Sequence, residues 1–432
     1  MDPPIDLENF EKLEPEKTSQ EQKRFQNFLM ANIVGQERAV KKICGEYSLF
    51  RSSLKPSRGV GGLIIGLGPT GVGKTELGHV LADFLFKNRD ALTYIDCGTM
   101  QQEHEVTAKL LGSPAGYLGH KETPALLKQS DLEKPAIDFL YTHDSDIKNL
   151  QKEITRLLLV QAEANKKNDG KTAKSIGKAI ETCSRRIQML ITRKSVNNVS
   201  IIVFDELEKA SYTLSRLLLN ILYTGSVRLA DNTTTYFHNS IIVMTSNLGS
   251  RQMEKLLKGG GAIGFAPRPK KEQSAFEVVM QEAKKHLDPE FIGRIRDKIV
   301  VFGHLNQNHF RQILGLRIAD LQRECIVDQN YSDEKSFKPN GFYLKVDDEK
   351  VRQFILEESI DHPEYGARML KQKIEKYLRL PLARMLETQQ IRPFDTVMVV
   401  MESDGSLGFY KNKNLIVAPP IDILDPNSPL SV

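Results

Sequence analysis

Lys74 and Thr75 close the run Gly68-Pro69-Thr70-Gly71-Val72-Gly73-Lys74-Thr75, which satisfies the pattern G-x-x-x-x-G-K-[ST] at every position. The chemistry such a run serves is triphosphate binding. Its glycines let the backbone curl so that successive N–H groups face an anion, where side chains would obstruct. Lys74 offers a point charge to the β and γ phosphates and Thr75 a hydroxyl to Mg2+. A helix opening near Glu76 turns its positive end on the same anion. A nucleoside triphosphate and Mg2+ are therefore the expected ligands.

A pair of acids follows later in the chain. Ser200-Ile201-Ile202-Val203-Phe204-Asp205-Glu206 reads as a buried strand that delivers two carboxylates at its C-terminal end. Asp205 would hold Mg2+ through water, and Glu206 would polarise an attacking water. An acidic pair after a strand is also a common helix N-cap; downstream of a phosphate loop it points to hydrolysis. A further strand, Ser240 to Ser246, ends at Asn247, whose amide could bond a γ-phosphate or lytic water, or serve a turn.

The elements that must position these groups follow from the apolar pattern. Leu63-Ile64-Ile65 forms a strand into the loop, a helix runs to about Phe86, and Leu92 to Asp96 is a second strand. This alternation predicts a doubly covered parallel sheet with its ligands at the C-terminal edge. Upstream, Phe25, Phe28 and Leu29 share one helical face, and Ile33-Val34-Gly35-Gln36 leads into a helix from Glu37 to Phe50. Ile33 and Val34 could be core or could line an adenine. From Asn306 the pattern becomes a small mixed α+β block. It has a strand at Phe342 to Val346, helices at Lys350 to Glu358 and Arg368 to Glu387, and a strand at Thr396 to Met401. The expected organisation is a flexible leader over 1–24, a nucleotide-binding domain over 25–305, a small domain over 306–410 and a mobile tail over 411–432.

Composition narrows the class. The 432 residues carry 60 basic and 55 acidic side chains, a net charge of +5, so no strong field argues for nucleic acid or a membrane. Cys44, Cys97, Cys183 and Cys325 lie far apart without metal-ligand spacing, which predicts reduced thiols in a cytoplasmic protein. No run approaches the roughly 18 apolar residues of a membrane span.

Six motifs in order carry a resemblance. GPTGVGKTELG, the loop Gly116-Tyr117-Leu118-Gly119, FDELEKA, MTSNLGS, PEFIGRI and YGAR resemble the second ATPase module of the Clp unfoldases and disaggregases, a branch of the AAA+ ATPases. The resemblance spans about Asn32 to Glu402. It implies an AAA+ fold with a Clp-type small domain, ATP hydrolysis in a hexameric ring, and protein substrates. It further implies that Asn247 is the sensor-1 residue, Arg294 a finger reaching a neighbour's nucleotide, and Arg368 the sensor-2 arginine. Tyr117, with Leu118, would be the pore-loop aromatic that grips a polypeptide. The sequence departs from the family at Gly293-Arg294-Ile295-Arg296, where a second arginine replaces a usual Asp, and at His120 to Thr123 after the pore tyrosine. One phosphate loop predicts one ATPase ring, without the substrate-binding domain of larger Clp proteins.

The main departure is an insertion over 130–197. Ile147, Leu150, Ile154 and Leu157 keep a three-four spacing, as do Ala173, Ile176, Ile180, Cys183, Ile187 and Leu190, with Asn168-Asp169-Gly170 as a turn between them. A helical hairpin is predicted, its arms about 35 Å long at 1.5 Å per residue, serving as a docking arm for an adaptor or substrate. Ile263-Gly264-Phe265 is similar to the tripeptide by which protease-associated Clp ATPases dock on a ClpP-type peptidase. Function is thus expected to be ATP-driven unfolding or disaggregation. The alternatives are a remodeller dedicated to one partner and an ATP-binding scaffold with negligible turnover.

Overall fold

A computed structural model describes residues 14, 16–56, 58–113, 125–166, 175–185, 199–253, 271–326, 341–346, 348–360 and 366–412. Tyr117, Leu118, Ile263, Gly264 and Phe265 lie outside them, as does the Asn168 to Gly170 turn.

In chain order, α1 (Gln20–Asn32) and α2 (Glu37–Arg51) precede β1 (Gly62–Leu67), α3 (Glu76–Phe86) and β2 (Thr93–Asp96). The short α4 (Glu103–Val106) leads to the long α5 (Gln129–Lys166), and residues 175–185 form α6. Then come β3 (Ser200–Asp205), α7 (Tyr212–Thr224), the ribbon β4 (Ser226–Arg228) with β5 (Thr234–Tyr236), and β6 (Ser240–Ser246). Helix α8 covers residues 250–253, followed by α9 (Lys271–His286), α10 (Pro289–Ile295) and β7 (Ile299–Val301). The small block holds α11 (Gln307–Ile326), β8 (Tyr343–Lys345), α12 (Glu349–Ile360), α13 (Arg368–Ile374), α14 (Leu380–Glu387), β9 (Thr396–Met401) and β10 (Leu407–Asn412).

The main sheet has the order β2-β3-β6-β1-β7, and all its pairings are parallel. Its central strands are buried on both faces, so they read as continuous apolar runs rather than alternating ones. Successive side chains go to opposite layers. Ile65, Ile202, Phe204 and Met244 join the α7 side, whereas Ile64, Val203 and Val243 join the α1, α2 and α3 side. Register brings Leu67 opposite Ser246 and Asp96 opposite Asp205, so the phosphate loop and both polar strand ends emerge along one edge.

A second core, built from Phe310, Leu314, Ile318 and Leu321 of α11 with Leu344, Val397 and Val399, holds the three-stranded sheet β10-β9-β8. The small block is tied to the large one at the nucleotide edge. Ala367 N–H donates to the Gly71 carbonyl at 3.0 Å. Gly366, at φ +55°, makes this approach possible, because a Cβ there would stand 2.6 Å from the Thr70 carbonyl oxygen.

The insertion differs from its expected form at the root. Helix α5 is one element of 38 residues, about 57 Å at 1.5 Å per residue, and its first turns belong to the main core through Leu132, Ala136 and Phe139. Beyond Ile147 the predicted seam is present: Leu150, Ile154 and Leu157, with Gln161, are half-buried in an otherwise exposed stretch. Helix α6 lies beside α5 where Gly177 meets Gln161, a Cβ on the glycine standing 3.3 Å from the Gln161 amide nitrogen. Its own shielded positions include Ile176, Ile180 and Cys183.

Candidate active site

The phosphate loop is shaped by its neighbours as well as by its own sequence. Gly68 adopts φ +149°, and a Cβ there would fall 2.4 Å from the carbonyl oxygen of Phe302, just past β7. Lys74 turns back into the loop, 6% exposed. Its ammonium donates to the carbonyls of Gly68 (2.8 Å) and Pro69 (2.5 Å) and to Asn247 Oδ1 (2.9 Å). Thr70 Oγ1 also donates to Asn247 Oδ1, at 3.4 Å. Burial pushes the Lys74 pKa down to about 8, with Glu208 and Asp205 opposing the shift and the charge of Arg368 adding to it. A buried cation held by two loop carbonyls and an amide oxygen, at the opening of helix α3, makes a site whose natural occupant is an anion.

Asp205 ends β3 with its carboxylate held at both oxygens. Oδ1 accepts from Thr75 Oγ1 at 2.9 Å and from Thr245 Oγ1, and Oδ2 accepts from Tyr94 Oη at 2.7 Å. The adjacent Thr75 hydroxyl and Asp205 carboxylate are hard oxygen donors suited to Mg2+. Among the described residues no group of three or more His, Cys, Asp or Glu side chains could hold a metal. Such a pair of oxygens matches an ion bound largely by the phosphates it accompanies.

Glu206 takes a left-handed backbone conformation, φ 57° and ψ 51°, which costs a non-glycine residue about 1 kcal/mol or more. Its N–H donates to Thr245 Oγ1 at 3.2 Å, and its carboxylate pairs with Lys209 at 2.5 Å. The strained turn throws the side chain off the strand end, beside Asp205. Glu208 closes the group, accepting from the Asn247 N–H (3.2 Å) and its side-chain amide (3.0 Å).

Lys74, Thr75, Asp205, Glu206 and Asn247 therefore meet at one sheet edge, and Arg368 joins them from α13 closely enough for its charge to act on Lys74. Ile33 and Val34 are buried, and Ile33 shares the core beside the loop with Val72; a Cβ on Gly73 would stand 3.9 Å from Ile33 Cγ2. The Glu76 side chain reaches Arg317 of α11 at 3.0 Å and Arg89. Arg294 stands apart from this group. Its guanidinium lies 4.6 Å from the centroid of the Tyr223 ring and 3.8 Å from Glu290.

Sequence reasoning missed Glu208, Thr245, Tyr94 and Arg317. The parallel pairing of β3 with β6 sets Phe204 opposite Met244, so Thr245 beside Asp205 could have been found from strand register. Arg317 carries no local signal.

Fold and site together define a nucleotide-binding module of the phosphate-loop class. The family model for the AAA domain (Cdc48 subfamily) matches residues 62–159 and 148–298, and the C-terminal D2-small domain of ClpB protein matches residues 305–399. The chain belongs to the AAA family, in its Clp branch. It is 28% identical over 385 residues to the chaperone protein ClpB of Vibrio cholerae, covering 89% of this chain and 34% of that protein. With ClpB of Bacteroides thetaiotaomicron it shares 30% identity over 384 residues, covering 87% of this chain and 34% of that protein. It thus spans about a third of the length of these relatives. A solved S. cerevisiae Hsp104:casein complex in the extended conformation superposes with a TM-score of 0.60 at 24% identity, covering 91% of this chain and 53% of that one. That likeness concerns the fold.

Among the described residues, no helix is long and apolar enough to cross a membrane.

Proposed function

We propose that the chain is an ATP-driven protein remodeller that hydrolyses Mg2+-bound ATP at the loop Gly68 to Thr75 and works as a ring, with six copies the expected number. The observation that carries this reading is the convergence of Lys74, Asp205 and Asn247 on the loop, with Gly366 and Ala367 of the small block packed on its Thr70–Gly71 backbone. Lys74 would exchange its loop carbonyls for phosphate oxygens. Glu206 would accept the proton of the attacking water, and Asn247, oriented by Glu208, would hold that water or the γ-phosphate. Magnesium, placed by Thr75 and Asp205, would neutralise charge on the triphosphate. Arg294, outside its own site, would serve a neighbouring copy, and Arg368 would report the bound state to the small block. Tyr117 and Leu118 would line the ring's channel, and Ile263-Gly264-Phe265 is a candidate anchor for a ClpP-like peptidase.

The length of α5 with α6 favours a second element in this reading, in which the arm recruits a dedicated partner or adaptor. Glu206→Gln tests the engine. It should bind ATP, turn over at least about 100-fold more slowly, and retain protein substrates in the presence of ATP. A wild type no faster than this variant would make the chain a nucleotide-gated scaffold.

A further inference from the structure

Tyr94 sits on the edge strand β2, paired with Val203, while Asp96 pairs with Asp205. Residues two apart on a strand share a face, so Tyr94 lies diagonally across from Asp205 on the same side of the sheet. Its hydroxyl spans that diagonal and donates to Asp205 Oδ2 at 2.7 Å. The opposite oxygen, Oδ1, is occupied by Thr75 Oγ1 at 2.9 Å and by Thr245 Oγ1. The carboxylate is therefore fixed from three elements, the phosphate loop, β6 and β2. The terminal torsion of an aspartate is broad, so bonds to Oδ1 alone would leave it free to swing. A donor on Oδ2 removes that freedom. The Tyr94 ring is 46% exposed, so this residue does not complete a core.

We propose that Tyr94 is a positioning residue of the nucleotide–magnesium site: its hydroxyl locks the Asp205 carboxylate with Oδ1 turned to Thr75, and so sets how strongly Mg2+ tightens nucleotide binding. This rests on the reading in which Thr75 and Asp205 serve the metal. Because the interaction is a charge-assisted hydrogen bond at a partly exposed position, its loss should shift the Mg2+ requirement by about 3- to 10-fold rather than abolish it.

The test measures binding of a fluorescent ATP analogue to the full chain, first in EDTA and then across a Mg2+ titration. Tyr94→Phe should match wild type in EDTA and need about 3- to 10-fold more Mg2+ to reach half of the metal-dependent gain. Tyr94→Leu should behave as Tyr94→Phe does, because only the hydroxyl matters. Asp205→Asn should flatten the Mg2+ response, and adding Tyr94→Phe to it should change nothing further. A wild-type Mg2+ curve for Tyr94→Phe beside a flattened one for Asp205→Asn overturns the role of Tyr94 and leaves the metal reading intact. A defect in Tyr94→Leu that Tyr94→Phe lacks also overturns it, in favour of ring packing. A wild-type curve for Asp205→Asn removes the metal reading itself.

Discussion

Glu208 holds Asn247 at two points, accepting its backbone N–H at 3.2 Å and its side-chain amide at 3.0 Å. The amide oxygen is thereby turned to Lys74 and Thr70, into the space between strand end and phosphate loop. An amide without this restraint can flip and present a donor where an acceptor is required.

Glu208→Ala should accordingly lower ATP turnover by about 10- to 100-fold, the range seen when an orienting partner behind a functional side chain is lost. Nucleotide affinity should move by less than about threefold, since removing a carboxylate near the phosphates offsets part of the damage. Steady-state turnover and equilibrium binding, measured on the same preparation, separate the two. An equal loss in both would mean that Glu208 supports the loop as a whole.

Lys74 gives the site a pH dependence. Burial lowers its pKa from 10.5 to about 8 in the nucleotide-free chain. Phosphate binding favours the protonated form, so affinity for nucleotide should be level below pH 8 and fall above it as the free site loses its proton. The decline is limited to about tenfold per pH unit. The sign for folding is opposite. Between about 8 and 10.5 the unfolded chain binds more protons than the folded one, so this group adds stability as pH rises through that window. Lys74→Arg, whose charge does not titrate there, should bind more weakly with a flat profile over pH 7 to 10. A decline identical to wild type would assign the titration to another group.

Arg317 joins the small block to the first turn of α3 through Glu76, with Arg89 on the same carboxylate. Burial alone would raise the Glu76 pKa, but Arg317 and Arg89 outweigh it and hold it below 4.5. A carboxyl with a depressed folded pKa contributes stability above its unfolded value and loses it as pH falls further. Glu76→Gln and Arg317→Ala should each be destabilising at pH 7, and a double-mutant cycle by thermal unfolding should give a coupling of about 0.5–1 kcal/mol, small because the pair is partly exposed. The Glu76→Gln deficit should shrink as pH drops below 4.5. Additive single effects would dissociate the two residues.

The arm divides physically at Ile147, since Leu132, Ala136 and Phe139 of the same helix are core residues. Replacing residues 148–197 with a short flexible linker should leave basal ATP turnover within about twofold, whereas removal from 130 onward should unfold the large block by emptying its core. Equal turnover by both deletions would contradict the packing of the α5 root. Loss of partner capture, assayed by pull-down with the shorter deletion, is the expected functional consequence.

The readable parts of the molecule are those whose signals are contiguous. The loop 68–75, strand β3 and strand β6 each declare themselves in one run of residues, and the hairpin seam from Ile147 to Leu157 follows from helical period. Groups that depend on what lies alongside were hidden. Tyr94 meets Asp205 across 111 residues and Arg317 meets Glu76 across 241, through register and block docking that no local pattern encodes. The root of α5 was misread for a related reason: periodicity identifies a shielded face without saying whether a partner helix or the main core shields it.

Arg294 lies over the Tyr223 ring at 4.6 Å from its centroid, an arrangement that braces a guanidinium away from its own loop. If it serves a neighbour, Arg294→Ala should lower turnover by about 10³-fold or more while nucleotide binding persists. The decisive measurement is complementation. Arg294→Ala retains Glu206, and Glu206→Gln retains Arg294, so mixed assemblies of these two inactive variants should regain turnover that neither shows alone. Tyr223→Ala should lose about 3- to 10-fold through the freed guanidinium, and Tyr223→Phe should lose little, because the ring face and not the hydroxyl supports the arginine. Absence of complementation, with Arg294→Ala as active as wild type, would confine the chemistry to a single copy and leave the Tyr223 contact a surface feature.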